Sequence, residues 1–298
     1  MISARQRLGR VGVWSGRLQR LSVGEARSLV SEWEELGYGS VWIPESPSAR
    51  DVLTFAGVLL CDSNSITVAT GIAVIWNRDP TTTMNASRTL AEAYPGRFVL
   101  GLGVSHRTSV EGRGHHYTKP LTAMRSYLLD MDGAPFDGVP DAPRPPRLVA
   151  ALGPRMTRMA GELADGVHPF LSTPSHTAIT RKILGSDPVI AVEQAVVLSE
   201  DVDRARAAAR LNLERFLQWP NYRRHFLRIG FTEHDLEGGG SDALIDALYA
   251  SGGEGAVESR IAEHIAAGAD HVALQVVPVD GVGEAEALRR LAPLLFNG

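Results

Sequence analysis

Lysine and cysteine are almost missing from this chain. Its 298 residues hold two lysines, Lys119 and Lys182, and one cysteine, Cys61. A lone cysteine excludes an intramolecular disulfide. Its place after the apolar stretch Val58-Leu59-Leu60 reads as a buried, inert thiol. Neither lysine ends a β-rich run, which sets aside a Schiff-base aldolase. No apolar run approaches the ~20 residues of a membrane span, and Met1 to Gly9 shows no apolar leader core. A cytoplasmic, reducing setting is expected. The net charge is −4 and the arginines are scattered among acids, so no basic stripe offers itself to nucleic acid. HExxH, CxxC and paired carboxylates at strand ends are all lacking, and the adjacent His115 and His116 diverge, so no metal site is expected. No GxSxG elbow occurs. Side chains alone look too poor for hard chemistry, which points to an organic cofactor and a small-molecule substrate.

What is present is rhythm. Short β-rich runs alternate with amphipathic helical runs, the mark of βα units. Expected strands run over Arg10–Ser15, Ser40–Pro44, Ile66–Trp76, Phe98–Val104, Leu148–Leu152, Gly166–Leu171, Val189–Leu198 and His271–Val277. Ser22 and Glu25 form a capping box ahead of a helix carrying Leu29, Val30, Trp33 and Leu36 at helical spacing. Further helices are expected over Asp51–Leu60, from Asp79-Pro80 to Pro95-Gly96, from Pro120, from Pro154, from Thr173-Pro174, from a Ser199 cap toward Trp219, and over Ala256–Ala267 and Glu284–Leu295. Asp132–Arg147 reads as surface loop. Residues 218–253 break the rhythm with Trp219, Tyr222, Arg223, Arg224, His225 and Phe226, then a glycine run. This stretch is expected as an insertion between strands seven and eight, a lid or a dimer contact. Eight strands in series over residues 1–298 fit one α/β domain, a (β/α)8 TIM barrel. An open doubly wound sheet would show a Gly-rich loop after its first strand, and Trp14-Ser15-Gly16-Arg17 is not one.

In a barrel, chemistry sits at the C-terminal strand ends: Trp14, Glu45, Ser46, Gly71 to Trp76, Ser105, His106, Gly153 to Arg155, Phe170, Gln194 and Gln275. Ala150-Ala151-Leu152-Gly153-Pro154 ends a strand in small residues and opens a helix at proline. Free N–H groups and the helix dipole there suit an anion, although Gly-Pro also starts ordinary helices. Gly71, inside a β-branched run, marks a bulge or a packing contact.

Five stretches in order then carry a resemblance. They are Gly37–Glu45, Ala69–Ile72, Tyr94–Gly103, Leu152–Met156 and Ala164–Gly166. Through them nearly the whole chain resembles the luciferase-like monooxygenase superfamily, and within it the oxidoreductases that use the deazaflavin coenzyme F420. The resemblance implies a bacterial-luciferase-like barrel and a non-prolyl cis bond at Gly71-Ile72 backing the flavin. It implies a phosphate site on Ala150, Ala151, Leu152 and Gly153, cofactor contacts from Ser105, His106 and Ser109, and an acidic residue, Glu45, near the ring edge. Many F420-dependent relatives follow that acid with a histidine. Here it is Ser46, which lacks a pKa near neutrality. Glu45 and His106 are therefore the catalytic candidates, with Ser46 lining the cofactor.

The implied activity is hydride transfer between F420 and a small organic substrate. The alternatives are an FMN-dependent monooxygenase fed reduced flavin by a reductase partner, and a cofactor-binding barrel without catalysis. The arginine- and alanine-rich bias of a GC-rich genome favours the deazaflavin. Relatives often form dimers, and the resemblance implies a homodimer here.

Overall fold

A computed structural model describes residues 4–139 and 142–296. Among them run ten strands: β1 (Val11–Trp14), β2 (Ser40–Ile43), β3 (Thr67–Thr70), β4 (Ala73–Val74), β5 (Phe98–Gly103), β6 (Arg147–Val149), β7 (Gly166–Val167), β8 (Val189–Leu198), β9 (Tyr249–Gly252) and β10 (His271–Val276). The thirteen helices are α1 (Ala4–Leu8), α2 (Val23–Glu35), α3 (Val52–Cys61), α4 (Pro80–Ala93), α5 (Arg107–Glu111), α6 (Pro120–Asp132), α7 (Pro154–Leu163), α8 (Pro174–Leu184), α9 (Val202–Leu217), α10 (Pro220–Arg228), α11 (Asp242–Leu248), α12 (Glu254–Ala266) and α13 (Glu284–Phe296).

All strand pairings are parallel, and β10 pairs with both β8 and β1, which closes the sheet. Eight positions make the ring, with β4 continuing the third strand past a break. This is the expected (β/α)8 barrel. The two-residue period of a strand separates two sets of side chains. Trp42, Ala69, Val99, Leu148, Ala191 and Ala273 point inward and fill the lumen, while Val41, Val68, Leu100, Val149 and Val272 meet the helices. The lumen also holds hydrogen-bonded polar groups. The Trp42 Nε1–H donates to His271 Nε2 at 3.0 Å, and His271 Nδ1 donates to the Gly9 carbonyl at 2.9 Å. His168 stacks on Trp42 at 4.2 Å between ring centroids and bonds the Ala191 carbonyl at 2.7 Å through Nδ1.

Capping follows the sequence closely. Ser22 and Glu25 make the reciprocal box, and Asp79 accepts from the Thr82 N–H at 2.9 Å ahead of Pro80. One cap is displaced. Asp201, not Ser199, accepts the first-turn N–H of α9, from Arg204, while Ser199 accepts from Asp201 N–H. Several strands are shorter than expected. Pro169 has no N–H to continue a ladder, so the sixth position ends at Val167. The fifth ends at Val149, freeing Ala150 to Gly153, and the third breaks at Gly71-Ile72. Helix α5 follows the fourth strand position where no helix was expected, since Arg-Thr-Ser carries no apolar period. Cys61 is exposed, contrary to the expectation of a buried thiol. Helix α3 buries Val52, Leu53, Phe55, Ala56, Leu59 and Leu60, and the next residue turns about 100° onto the outer face.

The insertion is larger than the broken rhythm indicates. Helix α12 packs between α8 and α13 and so holds the seventh helix position of the outer ring. Helix α9, expected in that role, packs instead with α10, α11 and β9 around a second core that includes Phe216, Tyr222, Leu244 and Tyr249. β9 lies along the upper half of β8, from Ala195 opposite Tyr249 to Leu198 opposite Gly252.

Candidate functional site

A cavity of about 1340 Å³ opens at the C-terminal strand ends. All eleven expected site residues line it, from Glu45 and Ser46 across the Gly71-Ile72 break to Ser105, His106, Ser109 and the turn Ala150 to Gly153. Of the other strand-end residues, Gln194 turns away. Its amide bonds the Leu248 carbonyl and His264 Nε2 outside the lumen.

The floor of the cavity is the break in the third strand. The Gly71-Ile72 peptide is cis, as the resemblance implies. Three hydrogen bonds from its neighbours hold it. Gly71 N–H donates to the Ile43 carbonyl at 2.8 Å, and the Gly71 carbonyl accepts from Trp14 Nε1 at 3.0 Å. The Ile72 carbonyl accepts from Glu45 N–H at 3.2 Å. Glycines 101 and 103 on β5 leave room for it: a Cβ on Gly103 would stand 2.5 Å from the Ile72 side chain. Beneath it, the buried Nε2 of His168 has no hydrogen-bond partner and faces Gly71.

Glu45 is committed to this floor. Its carboxylate accepts from Val74 N–H at 2.7 Å and from Arg78, whose Nη2 lies 2.5 Å from Oε1. Arg78 also pairs with Asp51, and both Glu45 and Arg78 side chains are largely buried. Ser46 lies exposed on the rim. His106 bonds Asn221 of α10 through Nδ1 at 3.0 Å and stacks on Trp219 at 3.8 Å. Burial holds its pKa below the ordinary histidine value, partly offset by Asn221. Ser105 adopts a left-handed φ of 56° beside it.

The opposite wall is the turn into α7. Its N-cap, Gly153, has no side chain to take the first-turn N–H groups, and Pro154 occupies the first helical position. Arg228 of α10 reaches over this turn, 3.4 Å from the Leu152 carbonyl, with Arg155 and Arg224 lining the same part of the cavity. Beneath it His176 bonds the same carbonyl at 3.1 Å.

One titratable group at the mouth went unnoticed in the sequence. Glu284, first residue of α13, is 6% exposed yet lines the cavity. Its Oε2 accepts from the buried Ser15 hydroxyl at 3.0 Å, and Oε1 has no hydrogen-bond partner among the described residues. Burial raises its pKa to about 7, against the lowering effects of Ser15 and Arg17. The signal was its place at the head of the helix after strand eight, hidden because the strand-end reading stopped at Gln275. Among the described residues no three His, Cys, Asp or Glu side chains gather to hold a metal ion. No helix there is long and apolar enough to cross a membrane.

Comparison with known proteins places this geometry. Residues 8–284 match the luciferase-like monooxygenase family. A 5,10-methylenetetrahydromethanopterin reductase of Methanolobus tindarius is 30% identical over 204 residues, 60% of this chain and 63% of the relative. The chain thus spans less than two thirds of the length of that curated relative. Among solved structures, an F420-dependent secondary alcohol dehydrogenase superposes with a TM-score of 0.73 at 16% identity, covering 95% of this chain and 98% of the other. The FMN-bound oxygenating constituent of 3,6-diketocamphane monooxygenase, from the CAM plasmid of Pseudomonas putida, superposes with a TM-score of 0.68 at 18% identity over 95% of each chain.

Proposed function

This chain belongs to the luciferase-like monooxygenase family, and from that premise we propose that it is an oxidoreductase that seats coenzyme F420 in the barrel mouth and exchanges a hydride with a small organic substrate. The observation that carries the reading is the presence, in one cavity, of the Gly71-Ile72 floor and the uncapped α7 N-terminus. A planar ring fits the floor, where the small residues Gly103, Ala150 and Ala151 leave room for it. A phosphate fits the Ala150–Gly153 turn, where backbone N–H groups and the helix dipole favour an anion. Arg155, Arg224 and Arg228 add positive charge beyond one phosphate, which suits a deazaflavin with further carboxylates better than FMN. Bound there, the cofactor supplies a ring carbon that gives or takes a hydride.

The chain's own residues orient, enclose and move protons. Glu45, fixed by Arg78 and Val74, acts as a positioning residue for the floor. His106, kept neutral by burial, joins Ser46, Ser105 and Ser109 along the cofactor edge. The excursion from α9 to β9 acts as the lid, since Phe216, Trp219 and Tyr222 line the cavity and exclude water. Glu284 moves the proton that accompanies the transfer, through Oε1, with Ser15 holding Oε2.

Two measurements test this. Calorimetric titration with F420 and FMN, each oxidised and reduced, is expected to show micromolar F420 binding and weak FMN binding. Selective FMN binding would move the protein to the monooxygenases served by a reductase partner, and binding of neither would leave a barrel without this cofactor. With a reducible substrate, turnover is expected to fall as pH rises through about 7, where Glu284 loses its proton. Glu284→Gln should lower the rate about 100-fold and flatten the profile with cofactor affinity intact. A pH profile unchanged in that variant would remove Glu284 from the role.

A further inference from the structure

The cavity has a second cationic station, away from the phosphate turn. Arg17 and Arg20 lie on the connection from β1 to α2, and Arg215 lies on α9; all three line the cavity. Many arginines outside the cavity have carboxylate partners. Arg206 pairs with Asp242 and Asp246, Arg289 with Glu32 and Arg290 with Glu254. Arg17, Arg20 and Arg215 form no ion pair and no side-chain hydrogen bond among the described residues, although each is exposed enough to reach a partner. The connection that carries two of them is not loose. Arg50 donates to the carbonyls of Leu18, Gln19 and Leu21, and Gln19 donates to the Pro44 carbonyl.

The two stations sit on different elements, Arg17, Arg20 and Arg215 on the β1–α2 connection and α9, and Arg155, Arg224 and Arg228 on α7 and α10. Burial lowers the Arg215 pKa and nearby Arg20 lowers it further, against the raising effects of Tyr249, Tyr222 and Glu193. Arg228 acts instead on His176 and His225 below the phosphate turn. Like charges gathered at a water-accessible mouth with no carboxylate in ion-pair contact suit an anion; the carboxyls that do act on them, Glu284 on Arg17 and Glu193 on Arg215, are buried and have their pKa values raised to about 7 and about 8. Beside them stand Trp14, Phe170 and Phe216, with Trp14 and Phe170 in edge contact at 5.2 Å. That wall suits an apolar body attached to the anion.

We propose that Arg17, Arg20 and Arg215 form the anchoring end of the substrate site, so that the substrate is a small organic anion with an apolar body, held by its carboxylate or phosphate. The inference rests on the cofactor reading for one point only, that the rest of the substrate extends toward the Gly71-Ile72 floor. The anchor itself is independent of which cofactor binds.

The test is ligand-observed NMR on the full chain, with and without the cofactor it binds, using benzoate, inorganic phosphate and neutral benzamide as probes. Benzoate is expected to bind and benzamide to bind at least tenfold more weakly, with affinity falling as salt rises. Preference for phosphate over benzoate would assign a phosphate-bearing substrate, and the reverse a carboxylate. Arg20→Gln and Arg215→Gln should each weaken the favoured anion about tenfold, Arg215→Lys less, while F420 or FMN affinity stays unchanged. Arg228→Gln should do the opposite. Thermal melts check the variants, of which Arg215→Gln also removes the contact of the guanidinium with the Phe216 ring at 4.5 Å. Equal binding of benzamide and benzoate, absence of binding by either anion, or loss of cofactor affinity in the Arg20 and Arg215 variants would each overturn the proposal. If the anions behave as expected and neither cofactor binds, the cofactor reading fails alone.

Discussion

Gly101→Ala is expected to destroy cofactor binding and to destabilise the fold by about 3 kcal/mol or more. A Cβ at this position would stand 1.9 Å from the Thr70 carbonyl oxygen. That atom is backbone and cannot rotate away. The same two residues are tied twice: the Thr70 hydroxyl donates to the Gly101 carbonyl at 2.7 Å and accepts the Gly101 N–H at 2.8 Å. An alanine must therefore push β3 from β5 directly below the Gly71-Ile72 floor, so stability and the ring seat fail together. Gly24→Ala is the control. Nothing lies within 4 Å of its added Cβ, and on α2 the change should raise stability by up to about 1 kcal/mol. Urea unfolding and cofactor titration read both. A Gly101→Ala protein with wild-type stability and affinity would show that the floor does not depend on this close approach.

Acid is expected to unfold the protein well above the usual carboxylate range. His168 and His271 are held neutral by burial with pKa values near 4, and burial depresses His225 and His264 to about 3. Below the ordinary histidine value the unfolded chain takes up protons that the folded chain refuses, so stability falls as pH falls from about 6.5 toward 4. Four such groups amount to on the order of 10 kcal/mol, comparable with the whole stability of a domain. Two buried carboxyls act in the other sense. Burial raises Glu193 to about 8 and Glu284 to about 7, so each keeps its proton where the unfolded chain has lost it. Their contribution declines as pH rises from about 4.5, where the unfolded carboxyl ionises, and is gone once pH passes those values; set against the histidines, this places the stability maximum near pH 6 to 7. Unfolding free energy measured between pH 4.5 and 8 should trace this dome, with net proton uptake on the acid side. A flat profile from 6.5 to 4.5 would show that these histidines are hydrated or protonated in the folded protein.

The sequence made the ring legible because its signals are local. A capping box, an Asp-Pro helix start and a run of β-branched residues each act within a few positions, and β8 matched its expected limits to the residue. Signals that depend on partners far along the chain were hidden. Helix α9 has the apolar period of any barrel helix, and only its packing against β9 and α11 removes it from the outer ring. Glu45 was legible as a residue at the mouth, but its commitment to Arg78, 33 positions away, was not. Glu284 needed Ser15 from the other end of the chain to be recognisable. Cys61 was misplaced for a simpler reason: hydrophobic neighbours in sequence are not neighbours in azimuth.

The pairing of Leu198 with Gly252 has a consequence for how such enzymes diversify. The chain leaves the barrel wall at Leu198 and returns beside the same residue more than fifty positions later. Everything between hangs from a single junction, and no strand of the closed ring is threaded through it. A segment with that topology is exchangeable: it can be shortened, lengthened or transplanted between homologues without re-registering the barrel. Because it brings Arg215 and the aromatic wall with it, and also Arg224 and Arg228 over the α7 turn, such an exchange would change which molecule is accepted and how the cofactor's anionic end is gripped, and would leave in place only the strand-borne floor.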